Sequence, residues 1–184
     1  DKVAFLKTLS INISQEDEFF LENCLDDKRK EVRTLAATLL GKIGKSAFVE
    51  RMFQRVSACF SVEKNRLKIN LPDKLDDDAI RDGINAAIKQ YGGGLKASRL
   101  GQMLSKIPPT RWEIYFQKSA KKSLAIFVQS QWEEVILQAL LEATVSYREE
   151  EWIIELLEYW LQAEDLTVWD KPIIKDFIAI IPET

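Results

Sequence analysis

The sequence predicts an all-α protein, an α-α superhelix of paired helices, with one short β-hairpin near residues 62–71. Three observations lead to this fold class. Apolar residues recur at spacings of three and four along most of the chain, which is the period of an amphipathic helix. The segments between these stripes are short, which favours antiparallel neighbouring helices in a stacked array. Only residues 61–72 alternate apolar and polar side chains as a strand does.

Start and stop signals divide the N-terminal part into helices. Ser14, followed by acidic residues, starts one helix. The expected buried face of that helix is Phe19, Phe20, Cys24 and Leu25. Asp26 and Asp27 interrupt it, and Asp27 is expected to cap the next helix, with Gly44 as the C-cap glycine of that helix. Ser46 is expected to cap the helix that follows.

The middle of the chain carries the strand pattern and then returns to helix. Leu67, Ile69 and Leu71 alternate with polar residues, and residues 63–66 are expected to form the turn of a small hairpin. The run Asp76–Asp78 is expected to cap a helix that continues to the glycines at 92–94. The inward face expected for this helix is Ile80, Ile84, Ala87 and Ile88.

The remainder of the chain predicts further helices, about nine or ten in total. The pair Pro108–Pro109 ends one helix, and residues 110–117 predict another turn or two. Residues 118–130 fit either a helix or a short buried strand. The last predicted helices begin near Trp132, Trp152 and Asp170, with Pro172 in the first turn of the final one.

Composition narrows the class of protein. Residues 1–184 are expected to form one α-helical domain. Since the chain does not begin with Met, we expect it to be part of a longer one. No stretch approaches the ~20 apolar residues of a membrane span. Without histidine there is no Ser-His-Asp or Cys-His system, and two cysteines cannot form a Cys₄ zinc site. We therefore expect no cofactor, no metal and no membrane insertion, and a reducing, cytoplasmic compartment.

Residues 16–44 resemble a HEAT repeat. The segment contains a helix, an Asp turn, a Val-Arg pair, paired alanines and a Leu-Gly-x-Ile-Gly ending. Val32 is expected to pack inward, Ala36 and Ala37 to let paired helices approach, and Arg33 to reach an acid or a carbonyl of a neighbouring turn. The resemblance implies a HEAT/ARM-like superhelix and no particular chemistry.

The chain is also similar to an uncharacterised bacterial family, the domain of unknown function 5691. The matching segments include Phe20–Glu22, Leu25–Asp27, Lys30–Arg33, Arg51–Met52, Leu71–Pro72, Arg81–Gly83, Pro108 and Trp112. The resemblance covers residues 1–115 well and the rest loosely. Members of this family are longer and are often encoded beside MoxR-class AAA+ ATPases and von Willebrand factor A-type proteins. It therefore implies an accessory role in such a system, and it implies no catalytic residues.

Charge is unevenly distributed along the chain. Thirteen basic and seven acidic residues lie between 61 and 125, whereas three basic and thirteen acidic residues lie between 126 and 184. This division favours binding of a charged partner. The three parts expected within the domain are HEAT-like helices at 1–60, a hairpin or linker at 61–75 and a helical array at 76–184.

Several other patterns have a structural interpretation that we favour over a functional one. Gly92–Ser98 follows a helix and lacks the Walker spacing, so we expect an interhelical loop and not a phosphate site. Lys118, Lys121 and Lys122 lie near aromatic residues, a mixture that suits single-stranded nucleic acid, but a pI near 5.3 gives no global basic footprint. The acidic triplets are expected to cap helices, and the tryptophans to pack in the core.

The leading functional hypothesis is a non-catalytic protein-protein interaction scaffold, because helical solenoids present extended curved surfaces. The residues expected to contact a protein partner are Arg29, Lys30, Arg33, Glu149, Glu150 and Glu151. One alternative is nucleic-acid binding through the basic middle, which predicts a steep salt dependence. Another is a carboxylate-dependent enzyme, which requires a concave pocket with a desolvated acid of raised pKa. The sequence leaves the oligomeric state open.

Overall fold

The computed structural model describes residues 1–63, 66–85, 87, 91–163 and 173–181. These residues are mainly helical, with one two-stranded antiparallel hairpin, as the sequence predicts. The elements are α1 (Lys2–Leu9), α2 (Glu18–Cys24), α3 (Lys30–Leu40), α4 (Ala47–Ala58), β1 (Phe60–Glu63), β2 (Arg66–Ile69), α5 (Asp77–Arg81), α6 (Leu95–Leu104), α7 (Thr110–Phe116), α8 (Ala120–Phe127), α9 (Glu133–Tyr147), α10 (Glu150–Ala163) and α11 (Ile174–Ile178).

Local capping explains where several helices begin. The Ser46 hydroxyl accepts a hydrogen bond from the Val49 amide at 3.2 Å, and the Asp76 carboxylate accepts one from the Ala79 amide at 2.6 Å. Both caps confirm the prediction. Ser14 caps a 3₁₀ turn that precedes α2. Each cap satisfies a backbone donor that the helix itself leaves free.

Both ends of α3 differ from the prediction. Asp27 does not cap this helix, because its carboxylate accepts hydrogen bonds from the Arg29 amide at 3.0 Å and from Lys2 Nζ at 2.8 Å. The N-cap residue is Arg29, without a side-chain cap. At the other end the C-cap is Gly41 and not Gly44. Gly41 keeps a right-handed conformation with φ −67°, so the helix ends without the left-handed glycine that the prediction assumed.

The predicted buried face of α2 was half wrong. Cys24 and Leu25 are buried, but Phe19 is 81% exposed and Phe20 is exposed as well. The buried face instead includes Leu21. The 3₁₀ turn before α2 has three residues per turn and not 3.6, and it rotates the following helix relative to one that runs unbroken from Ser14.

The helix predicted to reach the glycines at 92–94 is much shorter. It ends at Arg81 because Gly83 takes φ +85° and turns the chain. Ile84 is buried as predicted, but Ile80, also predicted to face inward, is exposed, and Ala79 is buried in its place. Ala87 is exposed, and Ile88 lies outside the described residues.

Helix packing builds the core outward from α6. This helix lies between α4 and α9, and α3 packs against α1, α2 and α4. Further along, α8 packs against α7 and α10, while α9 contacts α10 and α11. The segment 118–130, which the sequence left open between helix and strand, contains α8. Of the final predicted helix, Asp170 and Pro172 lie outside the described residues.

The hairpin rests on an aromatic cluster. Val62 pairs with Leu67, and the buried Leu67 and Ile69 anchor the second strand. Trp112 is fully buried, and its ring lies 5.4 Å from Phe60 and 5.5 Å from Phe127, in tilted and edge-to-face arrangements that favour aromatic pairs. The hairpin thereby joins α7 and α8 to the N-terminal helices.

Candidate functional site

The predicted basic residues at the start of α3 take different roles. Arg29 Nε donates to the Asp27 carboxylate at 3.1 Å, and its guanidinium lies 3.6 Å from the Asp1 carboxylate, so Arg29 stabilises the turn before α3. Arg33 donates from Nη1 to the Asp27 carbonyl at 2.7 Å, which confirms that it reaches a carbonyl. Lys30 is exposed. Lys30 and Arg33 both line a groove, whereas Arg29 does not.

The predicted acidic residues also divide. The Glu149 carboxylate accepts hydrogen bonds from the amide and the hydroxyl of Thr110, each at 2.8 Å, and so caps α7. Burial raises the pKa of Glu149, against the opposing effect of these two hydrogen bonds. Glu150 and Glu151 are exposed in the first turn of α10, where the helix dipole favours them. Glu149 therefore contacts α7. It does not line the basic groove on α3.

The groove runs along α3, between that helix and the chain that follows α5. Its outer part has a volume of about 530 Å³ and is lined by Lys30, Arg33 and Arg81, among others. Its inner part has a volume of about 230 Å³ and is lined by Asp82 and Lys106, among others. The residues that line both parts are Thr34, Gly83, Ile84 and Gln102. The two parts are therefore continuous.

Gly83 and Gln102 shape the wall opposite α3. Gly83 has a positive φ, and a Cβ at this position would lie 3.2 Å from Ala37 Cβ, so the loop approaches α3 more closely than another residue allows. The Gln102 side chain accepts from the Asn85 amide at 2.8 Å and donates to the Asn85 carbonyl at 3.2 Å. This reciprocal pair fixes the loop on α6.

The carboxylate that lines the inner groove is already paired. Asp82 is 2% exposed and accepts hydrogen bonds from Arg51 at 2.7 and 2.9 Å and from Arg55 at 2.6 Å. Burial alone raises the pKa of Asp82, but the hydrogen bonds from the two guanidinium groups outweigh it, and the pKa of Asp82 is lowered overall. Asp82 is therefore a charged structural residue.

The same network joins α2, α4 and α5. Arg51 donates to the Glu22 carboxylate at 2.9 Å, and Arg81 donates to both oxygens of Asp26 at 2.8 Å. The pKa of Arg81 is raised, and the main cause is its hydrogen bond to Asp26. Bidentate arginine pairs of this kind fix geometry as well as contributing energy. The loop that forms one groove wall is thereby held in place by these ion pairs.

Lys106 lies at the inner end of the groove, next to the end of α3. Its Cδ would lie 2.7 Å from a Cβ on Gly41, so the stem of the side chain passes directly over that glycine. The Tyr147 hydroxyl lies 2.5 Å from the Gly41 carbonyl and 2.8 Å from the Lys106 carbonyl, and it donates to this pair. Burial lowers the pKa of Lys106, with Glu142 opposing and Lys42 reinforcing that effect.

The described groove residues give the groove a positive character. Their cations are Lys30, Arg33, Arg81 and Lys106, of which Arg81 is paired with Asp26 and Glu22. Their carboxylate, Asp82, is paired with Arg51 and Arg55. Sequence reasoning found Lys30 and Arg33 but missed Lys106 and the arginine–Asp82 network. The Arg81-Asp82-Gly83 segment, one of those that match the family, was the signal available for the network.

The glycine run before α6 forms a turn. Gly93 and Gly94 both have positive φ, and Gly94 is the N-cap residue of α6. Lys96, the residue that a phosphate would require, pairs with the Asp73 carboxylate at 2.7 Å. The contacts agree with the interhelical loop that we favoured.

The mixture of lysines and aromatic residues near 112–122 is largely internal. Trp112 is at the centre of the aromatic cluster and is fully buried, so its faces are not available to stack on a base. Lys121 donates to the Glu158 carboxylate at 3.0 Å. Trp152 and Trp160 are buried as predicted, whereas Trp169 lies outside the described residues.

One acid meets part of the criterion for a carboxylate-dependent enzyme. Burial raises the pKa of Glu155, which lines a cavity of about 160 Å³ between α8 and α10. Its neighbour there is Lys121, with the nearest nitrogen and oxygen 4.0 Å apart. Within the described residues no group of three or more Cys, Asp or Glu side chains is arranged to hold a metal ion.

The fold and the groove define a mainly helical protein with a cationic cleft, built on a buried ion-pair network. The chain belongs to the Family of unknown function (DUF5691), whose family model matches residues 1–184. The match includes the C-terminal part, for which the residue resemblance was loose. No curated protein and no solved structure matches the chain. Among the described helices, none is both long enough and apolar enough to cross a membrane.

Proposed function

We propose that this protein is a non-catalytic binding module and that its groove receives an acidic segment of a protein partner. The observation that carries the proposal is the charge of the groove. Lys30, Arg33 and Lys106 line it, and Asp82, the carboxylate among the described lining residues, is neutralised by Arg51 and Arg55. Complementary charge of this kind steers association and sets specificity.

We also propose that the helices are arranged as a HEAT/ARM-like superhelix. Helices α2 and α3 pack against each other across the turn that contains Asp27, the arrangement expected of a HEAT pair. Ala36 and Ala37 are buried on α3, and Arg33 donates to the turn carbonyl of Asp27. Helical pairs of this type expose a continuous surface along one helix of each pair, which suits a groove for a partner segment.

We also propose the cellular context implied by the family resemblance. The protein acts in the cytoplasm as an accessory to a MoxR-class AAA+ ATPase and von Willebrand A-type system. Family membership supports this context, and the groove supplies a surface by which an accessory protein recognises an acidic segment of such a component.

Charge reversal at the groove mouth tests the proposal. The full-length protein is used to capture partners from its own host after nuclease treatment, and wild type is compared with Lys30→Glu. Because Lys30 is exposed and lines the outer part of the groove, we expect capture to fall by about tenfold.

A second charge reversal provides the control. Lys122→Glu makes the same charge change on an exposed residue in the first turn of α8, as Lys30→Glu does in the first turn of α3. An acid is favourable at both positions, so both variants are expected to fold. Equal loss of capture in both variants would refute a groove-specific interaction. Recovery of material that nuclease removes would favour the nucleic-acid alternative.

A further inference from the structure

The inner end of the groove holds a lysine without a counterion. Within the described residues no carboxylate forms an ion pair with Lys106, and Glu142 acts on it only at longer range. The nearby acids are engaged elsewhere: Asp82 with two arginines, and Glu142 with the Tyr91 hydroxyl at 2.5 Å. An ammonium that is desolvated and unpaired is costly, and an oxyanion that enters the cavity offsets that cost.

The charged and titratable groups that face Lys106 come from several elements. Glu142 and Tyr147 lie on α9, Lys42 follows α3, and Asp82 follows α5. The Tyr147 hydroxyl is bound to backbone carbonyls, and burial raises its pKa, so it stays protonated. Among these groups, Lys106 is therefore the one whose protonation an incoming anion affects most.

We propose that the inner cavity receives one carboxylate at Lys106, and that the whole groove recognises an extended segment with two acidic side chains about five residues apart. This inference rests on the proposed function and specifies its ligand. The first acid pairs with Lys30 and Arg33 at the outer end, and the second pairs with Lys106.

The spacing follows from the length of α3. Lys30 is the first residue of this helix, and Lys106 crosses Gly41, the residue after its end. Eleven steps of ~1.5 Å separate these positions along the axis, or about 16 Å. An extended chain advances ~3.3 Å per residue, so about five residues cover the distance. The inner cavity of about 230 Å³ suits one side chain and is too small for a helix, whose diameter is ~10 Å.

Two synthetic hexapeptides with the same charge and composition test the spacing. One is Glu-Gly-Ser-Gly-Ser-Glu, and the other is Gly-Ser-Glu-Glu-Gly-Ser, each amidated and carrying the same neutral dye. Fluorescence anisotropy at low salt measures their affinity for the full chain. We expect the spaced peptide to bind about fivefold more tightly than the adjacent one. In Lys106→Met, which keeps a linear stem over Gly41, this preference is lost and weaker binding remains.

Dependence on pH separates a direct role of Lys106 from a structural one. Affinity of wild type for the spaced peptide is expected to fall as the pH rises toward 10.5, because the pKa of Lys106 is lowered by burial and a neutral amine cannot pair with a carboxylate. Lys106→Met is expected to show a flatter profile over the same range. Lys106→Gln serves as a second neutral variant, and thermal unfolding checks that both variants fold.

The outcomes distinguish the two proposals. If Lys106→Met and Lys106→Gln keep the preference for the spaced peptide while Lys30→Glu weakens both peptides, the inner-site inference is wrong and the proposed function stands. If neither peptide binds and Lys30→Glu leaves partner capture unchanged, both are wrong. Displacement of the spaced peptide by inorganic phosphate, but not by chloride of equal ionic strength, would show a small-anion site and overturn the peptide assignment.

Discussion

A single methyl group added at Gly101 is predicted to destabilise the protein, although alanine is the better helix former. Gly101 lies within α6, directly against the ring of Tyr91. A Cβ at this position would lie 2.5 Å from two ring atoms of Tyr91 and 2.7 Å from a third. The ring has little freedom to retreat, because Tyr91 is buried and its hydroxyl donates to Glu142.

Two opposing effects determine the magnitude. Replacing glycine by alanine inside a helix gains about 1 kcal/mol in the free energy of unfolding. Overpacking a close-packed core costs ~1–3 kcal/mol and occasionally more. Because the overlap with the Tyr91 ring is about 1 Å and the ring is fixed at its far end, the cost is expected near the upper limit. The net loss is about 2 kcal/mol, which lowers Tm by ~4–8 °C in a chain of this length.

Thermal and urea unfolding, followed by circular dichroism, measure this effect for Gly101→Ala. The matched control is Gly41→Ala, whose Cβ would lie 2.7 Å from Lys106 Cδ. The overlap is similar, but a flexible lysine stem can move, so the change is expected to stay below about 1 kcal/mol. In a double-mutant cycle, Tyr91→Leu is expected to relieve Gly101→Ala by about 1 kcal/mol. A Gly101→Ala variant as stable as wild type would refute the reasoning.

Three further predictions concern charged residues. Asp82→Asn is expected to lower the free energy of unfolding by ~2–3 kcal/mol, because two partly exposed arginines lose their buried partner. Since the folded-state pKa of Asp82 is lowered, wild type loses this contribution as the pH falls below 3.8, whereas Asp82→Asn has none to lose. Urea unfolding at several pH values measures this difference. Lys106→Met is expected to raise Tm at neutral pH, and since the pKa of Lys106 is lowered on folding, the gain shrinks as the pH approaches 10.5. Glu149→Ala is expected to cost about 1 kcal/mol through loss of the α7 cap, whereas Glu149→Gln keeps an acceptor for Thr110 and costs less in the same assay.

Elements with a local chemical signal were predicted well. Ser46 and Asp76 cap their helices, and alternating residues give the hairpin, because these features depend on neighbours within four residues. Which face a helix buries depends on its rotation relative to the rest of the fold. Phe19 was therefore misplaced by a short 3₁₀ turn, and Ile80 by the turn at Gly83. Neither turn changes the apolar spacing on which the prediction relied.

Of the candidate site, the sequence predicted only the residues that lie together on one helix. Lys30 and Arg33 lie one turn apart, so a single helix places both at the groove. Asp82 meets Arg51 and Arg55 across 31 and 27 positions of the chain. The two arginines are themselves one helical turn apart on α4, a pattern that indicates a shared anionic partner but does not identify it.

Lys106 shows why an unpaired charge escapes sequence reasoning. It lies beside a stripe of apolar residues on α6, and a lysine in that position is expected to reach solvent with its long stem over the core. Its partial burial depends instead on Gly41, 65 positions earlier, where a missing side chain leaves room for the stem at the end of α3. The lysine and the glycine therefore act as one unit: a larger residue at Gly41 would turn the ammonium toward solvent without changing Lys106 itself. Desolvation of this kind is a property of two distant positions together, and neither position carries it alone.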